Sequence, residues 1–274
     1  MNVETLSRLR NIANDIRINA VKAVYSANSG HPGGSLSIAD MLAYLYFEEM
    51  NIDPADPKGA DRDRFVLSKG HCAPAYYSAL ALRGFFPVEE LTSFRSIDSR
   101  LQGHPDMKNI PGVDMSTGSL GMGISAACGM ALAGRDRYRV YTILGDGECQ
   151  EGEVWEAAMF ASHYKLSNLV AMIDFNGLQI GGNITDVMNP TPFDKKFEAF
   201  GWYVQTIDGH DIEQIAAALE NARAEKDKPS VIICKTVKGK GVSFMENNAK
   251  WHGNAPSAEQ FEIAMKDLGG CENG

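Results

Sequence analysis

Arg139-Val140-Tyr141-Thr142-Ile143-Leu144-Gly145-Asp146-Gly147 is the stretch that decides the fold. Its Val, Tyr, Thr, Ile and Leu side chains form the β-branched, aromatic and aliphatic run that a buried strand requires. The glycines that follow allow a tight turn and let a ligand approach the backbone closely. Glu151 to Tyr164 has helical composition, and Asn168 to Asp174 is a second apolar run ending just before Asn176. The unit therefore reads strand, loop, helix, strand. If the two strands are parallel neighbours, Asp146 and Asn176 leave the sheet at its carboxyl-terminal edge, where open α/β sheets bind ligands. A carboxylate and an amide oxygen are hard donors suited to Mg²⁺ or Ca²⁺, and the helix N-terminus beside them suits a phosphate. The arrangement points to a metal–diphosphate site. Ordinary turn chemistry also accounts for Asp-Gly after a strand and for Asn176-Gly177, so the reading leans on what surrounds the triplet.

Working outward, Leu6, Leu9, Ile12, Ala13, Ile16, Ala20 and Val24 recur near helical spacing over residues 4–27. Gly30, Pro32, Gly33 and Gly34 break that helix. Another is expected from about Ser37, with Asp40 placed for a capping box. Phe65-Val66-Leu67 is a short strand candidate leading into Ser68-Lys69-Gly70-His71, and Ala73 to Leu82 reads as helix. Residues 95–118 look irregular and long for a plain connection, as a functional loop would be. Ser119 to Ala133 is a helix of small residues, expected to pack against another backbone or a cofactor, or to be a tightly buried helix. Trp202 to Ile207 and Val231 to Cys234 are further strands, with a helix starting at Asp211 and Gln214 between them. Strands alternating with helices predict an α/β fold, a mainly parallel sheet with helices on both faces. With no internal repeat and no low-complexity linker, residues 1–274 read as one domain.

The chain of 274 residues is 44% apolar with a net charge of −9, and no Lys/Arg stripe compensates it, which argues against nucleic acid as a partner. Lys235 to Lys240 is a short basic patch interrupted by Gly239, readable as a solvated loop or a phosphate contact. The five cysteines form no C-x-x-C pair, so neither a disulfide framework nor a zinc site is expected. Cys128 and Cys234 lie in apolar runs and read as buried thiols. No apolar run is long enough to span a bilayer, and the N-terminus lacks a signal-peptide core. A reducing, cytoplasmic setting without membrane contact is expected.

Four of the six histidines stand in glycine-rich or loop-like surroundings: His31, His71, His104 and His252. Loops carry sites that a scaffold positions, and none of the four forms an H-x₃-H pair for a metal. His163 and His210 read as structural. The set Ser29-Gly30-His31-Pro32-Gly33, Ser68-Lys69-Gly70-His71, Gly103-His104-Pro105, Thr117-Gly118-Ser119-Leu120-Gly121, Gly145-Asp146-Gly147 with Glu151-Gly152, Asp174-Phe175-Asn176 and His252-Gly253 closely resembles the N-terminal, thiamine diphosphate-binding half of transketolase. These segments span most of the chain in the family's order.

The resemblance implies roles. Asp146, Asn176 and the Leu178 carbonyl would ligate Mg²⁺, which Ca²⁺ is able to replace. Gly147, His71 and His252 would hold the diphosphate, with Gly145 in the same turn. Gly118 and Leu120 would lie beside the aminopyrimidine, and His31 and His104 would face the sugar. Glu151 and Glu156 would lie near a subunit contact; as acids at a helix N-terminus they are equally accounted for by the helix dipole. Histidines of near-neutral pKa would pass protons. The implied reaction moves a two-carbon ketol unit from a ketose phosphate to an aldose in the pentose phosphate pathway. Single-chain family members continue beyond this length, so the chain looks like the small subunit of a split transketolase. Its implied partner is a C-terminal subunit, in a heterotetramer with two copies of each chain. Asn254 separates His252-Gly253 from Ala255-Pro256, a departure from the family pattern. A deoxyxylulose-phosphate synthase-like or 2-oxo-acid dehydrogenase-like half is the alternative among enzymes, and a non-catalytic regulatory subunit the alternative outside them.

Overall fold

The computed structural model describes residues 1–270. Residues 271–274, with Cys271, lie outside them. Helices α1 (Val3–Ser26), α2 (Pro32–Ser37) and α3 (Ala39–Tyr44) precede strand β1 (Arg64–Leu67). Next come α4 (Ala73–Arg83), α5 (Met122–Ala133), β2 (Val140–Gly145), α6 (Gly152–His163) and β3 (Leu169–Phe175). A two-stranded hairpin, β4 (Leu178–Gln179) and β5 (Gly182–Asn183), leads to α7 (Ile184–Met188) and α8 (Phe193–Ala199). The chain closes with β6 (Tyr203–Asp208), α9 (Ile212–Ala224), β7 (Ser230–Lys235) and α10 (Ala258–Asp267).

The main sheet is parallel throughout, in the order β1-β2-β3-β7-β6. Its inner strands β2, β3 and β7 are apolar on both faces because each face is covered, whereas the edge strand β6 is only partly buried. Phe65, Leu67, Tyr141, Ile143, Val170 and Met172 enter one core, with residues of α1, α3, α4 and α9. The alternate residues Val66, Val140, Leu144, Ala171 and Ile173 enter the other, with α5, α6 and α8. The two-residue period of a strand thus feeds two cores from one run of sequence. A third cluster seats α10 on Leu36, Val242 and Trp251 and holds down the segment before His252.

Helix α1 has the expected stripe of Leu9, Ala13, Ile16, Ala20 and Val24, and Asn2 caps it by accepting from Thr5 N–H at 2.7 Å. Asp40 differs from its expected role. It is no capping residue: its buried carboxylate pairs with Arg17 and lies 2.8 Å from His210 Nδ1. His210 Nε2 accepts from Val237 N–H at 2.9 Å, so Nδ1 carries the proton and donates to Asp40. His210 is structural, as expected, and ties α3 to the segment after β7; His163 is exposed on α6. Removing one member of such a buried pair costs about 3–5 kcal/mol, because it strands the other charge.

Residues 95–118 form no helix or strand, yet hydrogen bonds fix them. Tyr77 OH donates to the carbonyls of Gln102 and His104 at 2.9 and 2.8 Å, and Asp114 accepts from Phe65 N–H at 2.9 Å. The small-residue helix starts later than expected, at Met122. Gly121 precedes it with φ of 84°, a left-handed conformation that favours glycine.

Candidate functional site

In the β2–β3 register Gly145 lies opposite Asp174, and in β3–β7 Phe175 lies opposite Lys235. Asp146, Asn176 and Lys238 therefore emerge at one carboxyl-terminal edge. Lys69 and His71 join them from the turn after β1, and His252 from the loop before α10. These six residues line a cavity of about 260 Å³ together with Leu120, Gly145, Gly147, Glu151 and Leu178.

His31, His71 and His252 pack with ring centroids 5.1 to 5.4 Å apart, His31 meeting the other two edge to face and His71 tilted against His252. His31 belongs to this trio without lining the cavity itself. His104 is exposed, one loop away, with its ring packed under Gly118, where a Cβ would stand 3.1 Å from it. Asn254 folds back to donate to the Lys250 carbonyl at 2.8 Å, leaving His252 on the cavity wall.

The charges are arranged in layers. Asp146 is 2% exposed and accepts from Gly147 N–H at 2.8 Å and from Gly177 N–H at 2.5 Å. Burial, and then the neighbouring Asp174, push its carboxyl up to about 6. Behind it Asp174, fully buried, accepts from Lys69, Ser37, Thr236 and Asn176. Burial alone would raise Asp174, but Lys69 and these donors outweigh it and hold the carboxyl below its ordinary value. Lys238, 2% exposed, has no ion pair among the described residues, and burial followed by Lys69 lowers its ammonium. The solvated-loop reading of Lys235 to Lys240 is corrected here: Lys235 is exposed, but Lys238 is buried in the cavity wall.

The histidines differ from expectation too. Burial, with Arg95, His104 and Lys238 beside it, lowers His31 to about 4. Burial and Lys238 bring His252 to about 3, and burial and Lys69 hold His71 well below its ordinary value. They stand as neutral imidazoles at pH 7 rather than as groups titrating near neutrality.

A 3₁₀ turn, Gly147–Gln150, leads into α6, which begins at Gly152, within a residue of the expected Glu151, and the Gly147 N–H is taken by Asp146. The two glutamates of α6 occupy different places. Glu151 is the N-cap of α6 and lines the cavity, whereas Glu156 is exposed in a groove between α5 and α6 with Ser125, Gly129 and Phe160. Glu156 lies beyond the first turn of α6, so the helix dipole accounts only for its neighbours.

The sequence assigns no role to Glu148 and places Lys238 only within a basic patch readable two ways. Glu148 is 3% exposed and accepts from Ser68 Oγ at 2.5 Å and from Gly121 and Gly145 N–H, each at 2.9 Å. It cross-ties β1, the start of α5 and the end of β2. Its signal was its place in the Gly-Asp-Gly-Glu run; that of Lys238 was a lysine directly before Gly239.

The site's chemistry fits an anion held with a divalent cation. Buried polar atoms are nearly always partnered, yet His31 Nδ1, His252 Nδ1 and Thr117 Oγ1 are buried here with no hydrogen bond. Two buried lysines line the cavity with the carboxylates of Asp146, Glu148 and Glu151, of which Glu148 is already taken up by Ser68 and two backbone N–H groups. No group of three His, Cys, Asp or Glu among the described residues could hold a metal alone. A cation here needs the Asn176 amide, a backbone carbonyl and oxygens of the ligand itself. A larger groove of about 510 Å³ lies at the opposite, amino-terminal end of the sheet, but its Arg62 is already paired with Asp114.

Residues 9–272 match the family model for the transketolase thiamine diphosphate-binding domain. The chain belongs to that family. It is 46% identical over 263 residues to the 6-deoxy-6-sulfo-D-fructose transketolase subunit of Clostridium sp. strain MSTE9, covering 95% of this chain and 96% of that subunit. It is 44% identical over 271 residues to one of the subunits of the apulose-4-phosphate transketolase of Phocaeicola vulgatus, covering 98% of this chain and 95% of that one. Transketolase from Campylobacter jejuni superposes with a TM-score of 0.91 at 36% identity, over 98% of this chain but 43% of that one. The chain thus matches separate transketolase subunits over nearly their whole length and a single-chain transketolase over less than half. No helix among the described residues is long and apolar enough to cross a membrane.

Proposed function

We propose that this chain is the thiamine diphosphate-binding subunit of a two-chain, cytoplasmic transketolase, active with a separate C-terminal subunit on sugar phosphates. The observation that carries it is the convergence, in one cavity, of two buried lysines and two neutral histidines with the Asp146 carboxylate and the Asn176 amide. Asp146, Asn176 and the Leu178 carbonyl would hold Mg²⁺, with Ca²⁺ able to take its place. His71, His252, Lys238 and the Gly145–Gly147 turn would hold the diphosphate, whose charge Lys238 is free to meet. Gly118 and Leu120 would flank the aminopyrimidine. When bound, the cofactor supplies the nucleophilic carbon and the electron sink for two-carbon transfer.

His31 and His104 lie outside the cavity lining, His31 against His71 and His252 and His104 against Gly118. As neutral imidazoles they would orient sugar hydroxyls and take up or return a proton at a ring nitrogen. Glu151, on the rim, would face the partner subunit, and Glu156 would meet it across the α5–α6 groove. At about 260 Å³ the cavity falls below the ~300–1,000 Å³ of complete small-molecule sites, which supports a pocket finished by another chain. Among the described residues Cys72, Cys128, Cys149 and Cys234 are buried free thiols, which supports a reducing compartment.

The test is ketol transfer from a ketose phosphate to an aldose phosphate with thiamine diphosphate and Mg²⁺, with and without the partner subunit. Activity only in the mixture is expected. Full activity from this chain alone refutes the two-chain reading. An inactive mixture that still binds the cofactor favours the regulatory alternative.

A further inference from the structure

The second hard oxygen donor of the cavity is an asparagine, and its neighbours account for the choice of an amide. Building on the cation site proposed above, we propose that Asp174 is a positioning residue. Its carboxylate captures the amide nitrogen of Asn176 and so presents Oδ1 to the cation, which makes this position accept an amide and reject a carboxylate.

Asp174 accepts from Asn176 Nδ2 at 2.9 Å. An ionised carboxylate only accepts, so the amide atom facing it must be the nitrogen. The Leu178 N–H donates to the other amide atom at 3.1 Å, which must therefore be the oxygen. Two neighbours on opposite sides fix the same orientation. Oδ1 keeps a second lone pair, and Asn176 shares the cavity with Asp146. The intervening backbone ties the two donors as well, since Gly177 N–H donates to Asp146 Oδ2. Asp174 is itself immobilised: Ser37 Oγ donates to it at 2.7 Å, Thr236 Oγ1 and Lys69 also donate, and nothing of it is exposed.

The consequence runs against simple ligand chemistry. Adding a carboxylate to an oxygen site ordinarily tightens divalent cation binding. Here Asn176→Asp sets a carboxylate oxygen about 2.9 Å from that of Asp174, with no proton between them. Asp174 is fully buried and position 176 half-buried, and two carboxylate oxygens with no donor between them repel at that separation. The new carboxylate is driven away from Asp174 and out of the amide's orientation, and the cation loses a ligand.

The test uses the full chain with thiamine diphosphate, alone and with the partner subunit, and Mn²⁺ as a probe read by electron paramagnetic resonance. Wild type is expected to retain Mn²⁺, and Asn176→Asp to bind it about tenfold or more weakly, the range for lost outer-shell partners. Binding as tight as wild type, or tighter, overturns the proposal. The Asp174→Asn/Asn176→Asp double variant keeps the total charge and places an amide donor opposite the new carboxylate; it is expected to recover part of the loss. A double variant no better than Asn176→Asp also overturns the proposal. If Asn176→Asp alone fails to fold, recovery of a cooperative melt in the double variant reads the same coupling through stability, and no recovery rejects it. A wild type that retains no Mn²⁺ is a different failure, because it removes the cation site itself and this inference with it.

Discussion

His31 illustrates how far a residue's surroundings reset its chemistry. Its environment lowers it to about 4 in the folded chain, against an ordinary value of 6.5. Between these values the unfolded chain binds the proton and the folded chain does not, so stability rises with pH across that window. The His31 contribution is whole above pH 6.5 and is lost as pH falls towards 4. Thermal melts of wild type and His31→Gln should therefore keep a constant difference above pH 6.5, and wild type should lose stability relative to the variant as pH falls from 6.5 towards 4; a difference that stays constant through that window would contradict the assignment. His31→Ala and His104→Ala should lower turnover or sugar affinity while cofactor binding stays largely intact. Loss of cofactor with normal sugar handling would show the role to be misplaced. Asp146→Ala should abolish Mg²⁺-dependent cofactor retention in the assembled enzyme, since the buried diphosphate then lacks part of its neutralising charge. Calorimetric titration with thiamine diphosphate and Mg²⁺ checks this, and unchanged affinity would discard the metal assignment.

At the scale of the element, α5 carries two glycines that composition cannot tell apart. A Cβ on Gly123 would stand 2.6 Å from Ser68 Cα, whereas one on Gly129 meets nothing within 4 Å. Helix propensity alone favours alanine over glycine by roughly 1 kcal/mol at both. Gly129→Ala should follow that trend and raise stability by up to about 1 kcal/mol in the isolated chain. Gly123→Ala should instead destabilise by about 1–3 kcal/mol, the usual cost of overpacking, because the turn leading to Lys69 would have to shift. Urea unfolding of the two variants is the measurement, and equal effects would mean that the close approach to Ser68 is not a constraint. The expectation of backbone contact was thus right for one face of α5. The other face is open, with Met122 53% and Leu132 39% exposed.

For the whole molecule, that open face continues onto α6, where Met159 is 60% and Phe160 37% exposed. Together with the part-formed cavity, it favours a large contact with other chains. We expect sedimentation of this chain mixed with a partner of about three hundred residues, above the usual single-domain size, to give a complex with two copies of each. Substituting Met159 and Phe160 with Ser should shift it towards smaller species while leaving the far-UV spectrum of this chain unchanged. An unaffected complex would place the contact elsewhere.

The sequence by itself determined the α/β alternation, the parallel sheet and the meeting of Asp146 with Asn176, because strand and helix periodicity and turn chemistry are local properties written into neighbouring residues. The ordered histidine motifs were equally legible, and the structure carries His71 and His252 to the cavity and His31 to its margin. Only the tertiary structure decided that Asp40 is half of a buried pair rather than a cap, and that Lys238 faces a cavity rather than water. The same holds for the histidines being neutral. Each of these depends on segments far apart in the chain: Asp40 on Arg17 and His210, Lys238 on Lys69, His31 on Arg95. Burial and charge are properties of what packs around a side chain, and no window of sequence contains those neighbours.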